Sequence, residues 1–173
     1  LGAGPIGNLI GQVAQAFGAR VLITDLSEYR LGIARQCGLE NTSNAAEEGL
    51  AAAAGRLFGS AGFDVVLECV GVEDTMTAAI DNIQKGGRIV VVGVFGEKPR
   101  VDMGLVQDRE LNLHGTLMYQ RPDYERAVEL IASGAVKTDP LFSKHFSLDE
   151  YLDAYRFIDE QGDKSMKVFI DIS

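Results

Sequence analysis

The sequence predicts a doubly wound, parallel α/β fold, and three observations carry that reading. Runs such as Arg20–Asp25, Phe63–Cys69 and Arg88–Val94 are nearly continuous in apolar and β-branched residues, the composition of strands buried on both faces of a parallel sheet. Segments with the period of an amphipathic helix alternate with them. A glycine-rich turn, Gly2-Ala-Gly-Pro-Ile-Gly7, stands directly ahead of the first such segment.

Taken in order, Ile6, Leu9, Ile10, Val13, Ala14 and Phe17 line one helical face, and Gly18 stands where that helix should stop. The strand Arg20–Asp25 follows, and then a helix over about Ser27–Gln36 ended by Gly38. Asn44 with Glu47 has the spacing of a capping box and predicts an Ala-rich helix running to about Phe58. Strand Phe63–Cys69 leads to a helix over Glu73–Ile83, and Gly86-Gly87 turns the chain into strand Arg88–Val94. A short helical stretch precedes the strand Leu111–Thr116. Alternation at this spacing implies βαβ units with right-handed crossovers.

After about Tyr119 the texture changes. Pro122 sits at the first turn of a helix reaching about Ser133, and Ser147 with Glu150 forms a second capping box opening a helix to about Asp159. Leu141-Phe142 and Lys167–Ile172 are short apolar runs around them, and no further βαβ pattern is visible. The reading is therefore two units, 1–118 and 119–173, with the second in a different packing environment.

Composition narrows the function classes. A 173-residue chain with 46% hydrophobic and 24% charged residues has ordinary globular make-up. Its formal net charge of −9 and the lack of any Lys/Arg run exclude a nucleic-acid or membrane-surface partner. No apolar run approaches the roughly 18 residues of a membrane span, so the expected location is the cytoplasm. Cys37 and Cys69 lie in no CxxC or Cys/His cluster and read as buried thiols. The chain opens at Leu1 without Met and the glycine turn begins at once, which reads as a fragment whose first strand is missing. An open central gap would expose backbone groups and core on both flanks, a severe defect against stabilities of about 5–15 kcal/mol. A substitute strand, from a tag or a neighbouring chain, is expected there.

The glycine turn has the GxGxxG spacing, which alone is weak in a chain holding 20 glycines. Its context makes it specific: it opens a helix, and the acidic residue Asp25 ends the next strand about twenty residues on. Gly2 would permit the tight turn, Gly4 the approach of a pyrophosphate to the backbone, and Gly7 close helix–strand packing. Free N–H groups and the helix dipole would hold the anion. Asp25 would accept hydrogen bonds from adenosine ribose hydroxyls and repel a 2′-phosphate, so the expected cofactor is NAD and not NADP. Arg30, one turn into the next helix, could lie against adenine.

Gly2–Gly7, Ile23-Thr-Asp-Leu-Ser-Glu-Tyr-Arg-Leu31, Glu68-Cys-Val-Gly71, Gly86-Gly-Arg-Ile-Val-Val-Val-Gly93 and Lys144-His-Phe-Ser-Leu148, in this order, resemble the zinc-dependent medium-chain dehydrogenases, especially the sorbitol/polyol and L-threonine branches. The resemblance covers essentially the whole chain. It implies a six-stranded Rossmann domain to about Thr116, followed by the returning C-terminal segment of a catalytic domain. It also implies that Pro5 and Ile6 lie over the pyrophosphate, that Asp25, Leu26 and Arg30 hold the adenosine, and that Cys69 and Val70 line its pocket. Gly93, Val94 and Phe95 would approach the nicotinamide, as would Thr116, Leu117 and Met118. In many polyol dehydrogenases an Arg that contacts substrate stands where Met118 aligns.

The same resemblance implies that zinc belongs to the full-length enzyme only, with its ligands before the Rossmann domain and so not in this chain. His114, in a strand, and His145, among Phe142 and Phe146, have no partner at metal-ligand spacing and read as structural. No catalytic residue and no metal ligand is assigned to this chain. The implied activity is hydride transfer between an alcohol or polyol and NAD, with the fragment inactive alone. L-threonine dehydrogenase and a non-catalytic NAD-responsive binding module are the alternatives. Strand 111–116 would be a sheet edge, through which the family joins subunits, so a homodimer or tetramer is expected.

Overall fold

A computed structural model describes residues 1–172. The first helix, α1 (Pro5–Ala16), begins with proline at its first position, where a missing N–H costs nothing, and closes at Gly18 with φ +87°. It leads to β1 (Ile23–Asp25), α2 (Glu28–Gln36) and β2 (Thr42–Asn44). Then come α3 (Leu50–Phe58), β3 (Val65–Glu68), α4 (Glu73–Asn82), β4 (Arg88–Val91), α5 (Met103–Asp108) and β5 (Asn112–Gly115). The tail holds α6 (Arg121–Ala132), β6 (Phe142–Ser147), α7 (Tyr151–Gln161) and β7 (Lys167–Asp171).

All strand pairs are parallel. β1 pairs with β2, and β3, β4 and β5 form a second sheet in that order, with β4 central and β5 at the edge. The main core lies on this second sheet, where Ile89 of β4 and Val66 of β3 meet Met76 and Ile80 of α4, Ile83 just past its end, and Val106 of α5. A second cluster joins Ala3 and Ile23 to Leu31, Ala34 and Leu39.

Five strands therefore stand in the first 118 residues, as expected for the six-stranded domain of the resemblance without its first strand. At the position of that strand, only Leu1 and Gly2 connect the two sheets. The amino group of Leu1 donates to Leu67 O (2.8 Å), Cys69 N–H donates to Leu1 O (3.0 Å), and Gly2 N–H donates to Thr24 O (2.8 Å). Below these two residues lies a cleft of about 520 Å³ between β1 and β3, lined by Ile10, Ala14, Val21, Phe58, Phe63 and Val65 among others. No described segment of the chain supplies the expected substitute strand. The cleft also explains why β1 is shorter than Arg20–Asp25: residues 20–22 border it and have no ladder partner there, and β2 begins only at Thr42, opposite Ile23.

Two expectations are corrected. Asn44 does not open a helix. It ends β2, its carbonyl accepts the N–H groups of Glu47 and Glu48 in a turn, and α3 starts only after Gly49. The acidic side chain that matters locally is Glu48, bonded to Ser43 Oγ and Arg56. The tail, moreover, does contain a βαβ unit, because β6 and β7 pair in parallel with α7 between them. Its sequence hid this because β6 (Phe-Ser-Lys-His-Phe-Ser) is mostly polar and exposed, unlike a strand buried on both faces. The second capping box is real: Glu150 Oε2 accepts both the N–H (3.1 Å) and the hydroxyl (2.9 Å) of Ser147.

The tail is pinned to the first unit by Leu141 and Met166, which pack on Ile33, Cys37 and Leu9. Buried Gln12 of α1 adds a two-way clamp, its Oε1 accepting Lys137 N–H (2.7 Å) and its Nε2 donating to Lys137 O (3.0 Å).

Candidate cofactor-binding site

The C-terminal ends of β1, β3, β4 and β5 open on one rim, where ligands bind in open parallel sheets. The glycine turn sits at its centre. Gly2 has φ +92°, a conformation natural only to glycine, and a Cβ there would also meet Val70 Cγ2 at 2.8 Å. At Gly7 a Cβ would collide with the Gly2 carbonyl oxygen and stand 3.5 Å from Cys69 Cβ, so helix and turn touch through backbone. Gly4 is different, since a Cβ there meets nothing within 4 Å. Space is left over Gly4, at the mouth of α1. The first helical bond is Asn8 N–H to Gly4 O, so the N–H groups of Ile6 and Gly7 precede the helical ladder and Pro5 has none. This is the geometry of an anion cradle at a helix N-terminus.

Asp25 faces that cradle. Its Oδ2 accepts Ala3 N–H (2.7 Å) and its Oδ1 accepts Ser27 N–H (2.9 Å). Each carboxylate oxygen has two lone pairs, so one acceptor position on each remains for a diol. Ser27, which the sequence reading passed over as a cap, accepts Arg30 N–H (3.4 Å) and starts α2. Leu26 is exposed, and the Nε of Arg30 is buried without a hydrogen-bond partner.

Two loops form the other wall. Cys69 and Val70 follow β3, and Gly93, Val94 and Phe95 follow β4. They interlock: a Cβ on Gly71, which has φ +82°, would meet Val94 O at 2.5 Å, and one on Gly93 would collide with Gly71 N. Burial pushes the Cys69 thiol above its ordinary value, so it remains protonated and packs as a small apolar group. Val94 is 79% and Met118 80% exposed, and Thr116 N–H donates to Val91 O (3.1 Å), which sets the start of the Thr116–Met118 stretch beside β4. The structure thus gathers the turn, Asp25 and loop 69–71 tightly, with 93–95 and 116–118 at the same rim.

Glu68 was not singled out by the sequence reading. Its signal was a carboxylate closing an otherwise apolar strand, and it is fully buried. Of the histidines, His114 lies exposed on β5, whereas His145 stacks on Phe169 (centroids 5.1 Å) with Nδ1 3.0 Å from Asp171 Oδ1. That carboxylate comes from β7, too distant in sequence for spacing to reveal it. Among the described residues no group of three or more His, Cys, Asp or Glu side chains could hold a metal ion.

The family model for zinc-binding dehydrogenases matches residues 5–133. The chain belongs to this family. Sorbitol dehydrogenase 1 of Saccharomyces cerevisiae is 34% identical over 176 residues, covering 98% of this chain and 49% of the yeast protein. L-threonine 3-dehydrogenase of Vibrio cholerae is 34% identical over 174 residues, with the same two coverages of 98% and 49%. This zinc-binding dehydrogenase chain thus spans about half the length of the curated relatives it matches. Among solved structures, an oxidoreductase/dehydrogenase of unknown specificity from Escherichia coli superposes with TM-score 0.92 at 25% identity, over 99% of this chain and 49% of its own. A zinc-binding dehydrogenase from Sinorhizobium meliloti solved with NADP superposes with TM-score 0.83 at 29% identity, over 98% of this chain and 50% of its own.

Proposed function

We propose that this chain is the NAD-binding half of a zinc-dependent alcohol or polyol dehydrogenase, with residues 1–118 as the cofactor domain and 119–173 as a segment of the catalytic domain. The observation that carries the reading is the juxtaposition of the open Gly4 cradle at the start of α1 with the Asp25 carboxylate. Bound NAD would accept or supply the hydride, and the protein's part is to hold its reactive ring in register, a positioning effect. Ile6, Gly7 and the α1 dipole hold the pyrophosphate, with Pro5 beside it. Asp25, with Leu26 and Arg30 alongside, holds the adenosine, and Cys69 and Val70 wall it. Gly93–Phe95 and Thr116–Met118 line the nicotinamide end. Zinc, as Lewis acid on the substrate oxygen, belongs in this reading to the part of the enzyme outside this chain.

Family membership leaves the ribose 2′ position open, since the S. meliloti relative was solved with NADP. Asp25 supports NAD: a 2′-phosphate would displace ribose hydroxyl bonds to a carboxylate and put like charges together. Yeast sorbitol dehydrogenase and bacterial threonine dehydrogenases match equally well, at 34% identity, so L-threonine is the alternative substrate. The site is tested by amide chemical-shift mapping with NAD. Shifts should concentrate at Gly4, Ile6, Gly7, Val70 and Val94 and spare His145. Perturbation centred on the β6–β7 sheet would contradict it.

Self-association through β5 completes the proposal. The strand is exposed along its length and, among the described residues, has only β4 as a partner, an arrangement that invites strand pairing. Light scattering at tens of micromolar should give at least twice the 18.6 kDa chain mass, and a monomer would count against the interface. No described helix is long and apolar enough to cross a membrane, and the cytoplasm is the proposed location.

A further inference from the structure

We propose that Glu68 is a positioning residue that ties together the two loops facing the cofactor and fixes the surface on which it rests. The proposal builds on the NAD reading but stands on the protein's own hydrogen bonds. Glu68 is fully buried at the end of β3, where the cost of burying a carboxylate is offset by the hydrogen bonds it accepts. One oxygen, Oε1, accepts the N–H groups of Val70 (2.8 Å) and Gly71 (2.9 Å) and lies 2.8 Å from the Thr75 hydroxyl. Its main-chain carbonyl accepts the N–H groups of Val92 (2.9 Å) and Gly93 (2.8 Å). A single residue thus satisfies two consecutive N–H groups in each loop, the side chain holding 70–71 and the backbone holding 92–93.

The two loops meet where glycine is required. Gly71 packs on the backbone of Val94, and a Cβ on Gly93 would stand 2.7 Å from Glu68 Oε2. That second oxygen is buried and accepts no hydrogen bond from the described residues. Both loop N–H groups that the side chain holds are held through Oε1. An amide that keeps the Oε1 position should therefore serve, whereas a side chain of similar length without an acceptor should release Val70 and Gly71. Their freed N–H groups would move the loop that walls the adenosine pocket and, through the Gly71–Val94 contact, the loop at its nicotinamide end.

The experiment compares Glu68→Gln and Glu68→Met in the whole chain, by amide hydrogen exchange and by NADH fluorescence titration. In Glu68→Met, exchange at Val70 and Gly71 should accelerate at least tenfold while Val66 and Ile89 keep their protection, and NADH affinity should fall about tenfold. In Glu68→Gln, both quantities should stay within threefold of the unsubstituted chain. Unchanged exchange at Val70 and Gly71 in folded Glu68→Met would overturn the proposal. A Glu68→Gln chain that loses affinity tenfold would overturn it too, and this arm decides the matter if Glu68→Met fails to fold. If the unsubstituted chain itself does not bind NADH, the cofactor reading fails, and the exchange data alone decide whether Glu68 holds the loops.

Discussion

Alanine at Gly7 is expected to destabilise the chain and abolish measurable NADH binding, whereas alanine at Gly4 should weaken NADH binding without lowering the melting temperature. The two glycines sit three residues apart in one turn, and the difference lies in what a methyl group would meet. At Gly7 it would run into the Gly2 carbonyl and approach Cys69, forcing α1 away from the turn. Overpacking of this kind costs about 1–3 kcal/mol and displaces the N–H groups that form the cradle. At Gly4 the backbone is extended, with φ −60° and ψ 177°, and the added methyl touches no protein atom. It occupies only the space assigned to pyrophosphate. Losing one charge-assisted hydrogen bond through the displaced anion, at about 1.5–3 kcal/mol, corresponds to a roughly 10- to 100-fold weaker Kd. Thermal melts and NADH titrations on both variants separate the effects. A Gly4→Ala chain that binds as tightly as its parent would show that the open space over Gly4 is not where the cofactor lies.

The second large effect is expected at Asp25. Asp25→Ser removes the carboxylate that faces the cradle, and with it the acceptors for a ribose diol and the charge that opposes a 2′-phosphate. NADH affinity should fall about 10- to 100-fold by the same arithmetic, while NADPH affinity holds or rises, so the ratio between them narrows. Some stability is lost as well, because Asp25 also accepts the N–H groups of Ala3 and Ser27. The ratio is insensitive to that general loss. An unchanged ratio in a folded variant would remove Asp25 from the cofactor site.

Where the sequence was legible, local chemistry and tertiary context agreed. Pro5 and Gly18 mark the ends of α1, and the buried composition around Ile89 marks a central parallel strand. Where it misled, context decided. Asn44 and Glu47 have capping-box spacing, yet β2 needs Thr42-Ser43-Asn44 as the only described partner for β1, and the helix is pushed back to Leu50. The polar strand β6 is held by pairing with β7 and by stacking of His145 on Phe169, contacts from the far side of α7 that no local pattern encodes. In the glycine turn, Gly2 and Gly7 answer backbone demands that the spacing encodes, whereas at Gly4 a Cβ would meet no protein atom and only the proposed pyrophosphate would require glycine. Glu68 was overlooked because its partners are backbone N–H groups, which sequence does not display.

The central claim is that the turn and Asp25 form an NAD site, and paired titration of NADH and NADPH into the chain, after a melt has shown cooperative folding, tests it most directly. Saturable binding that favours NADH by at least tenfold is the predicted result. Equal affinities, or no binding of either nucleotide by a cooperatively folded chain, would contradict it.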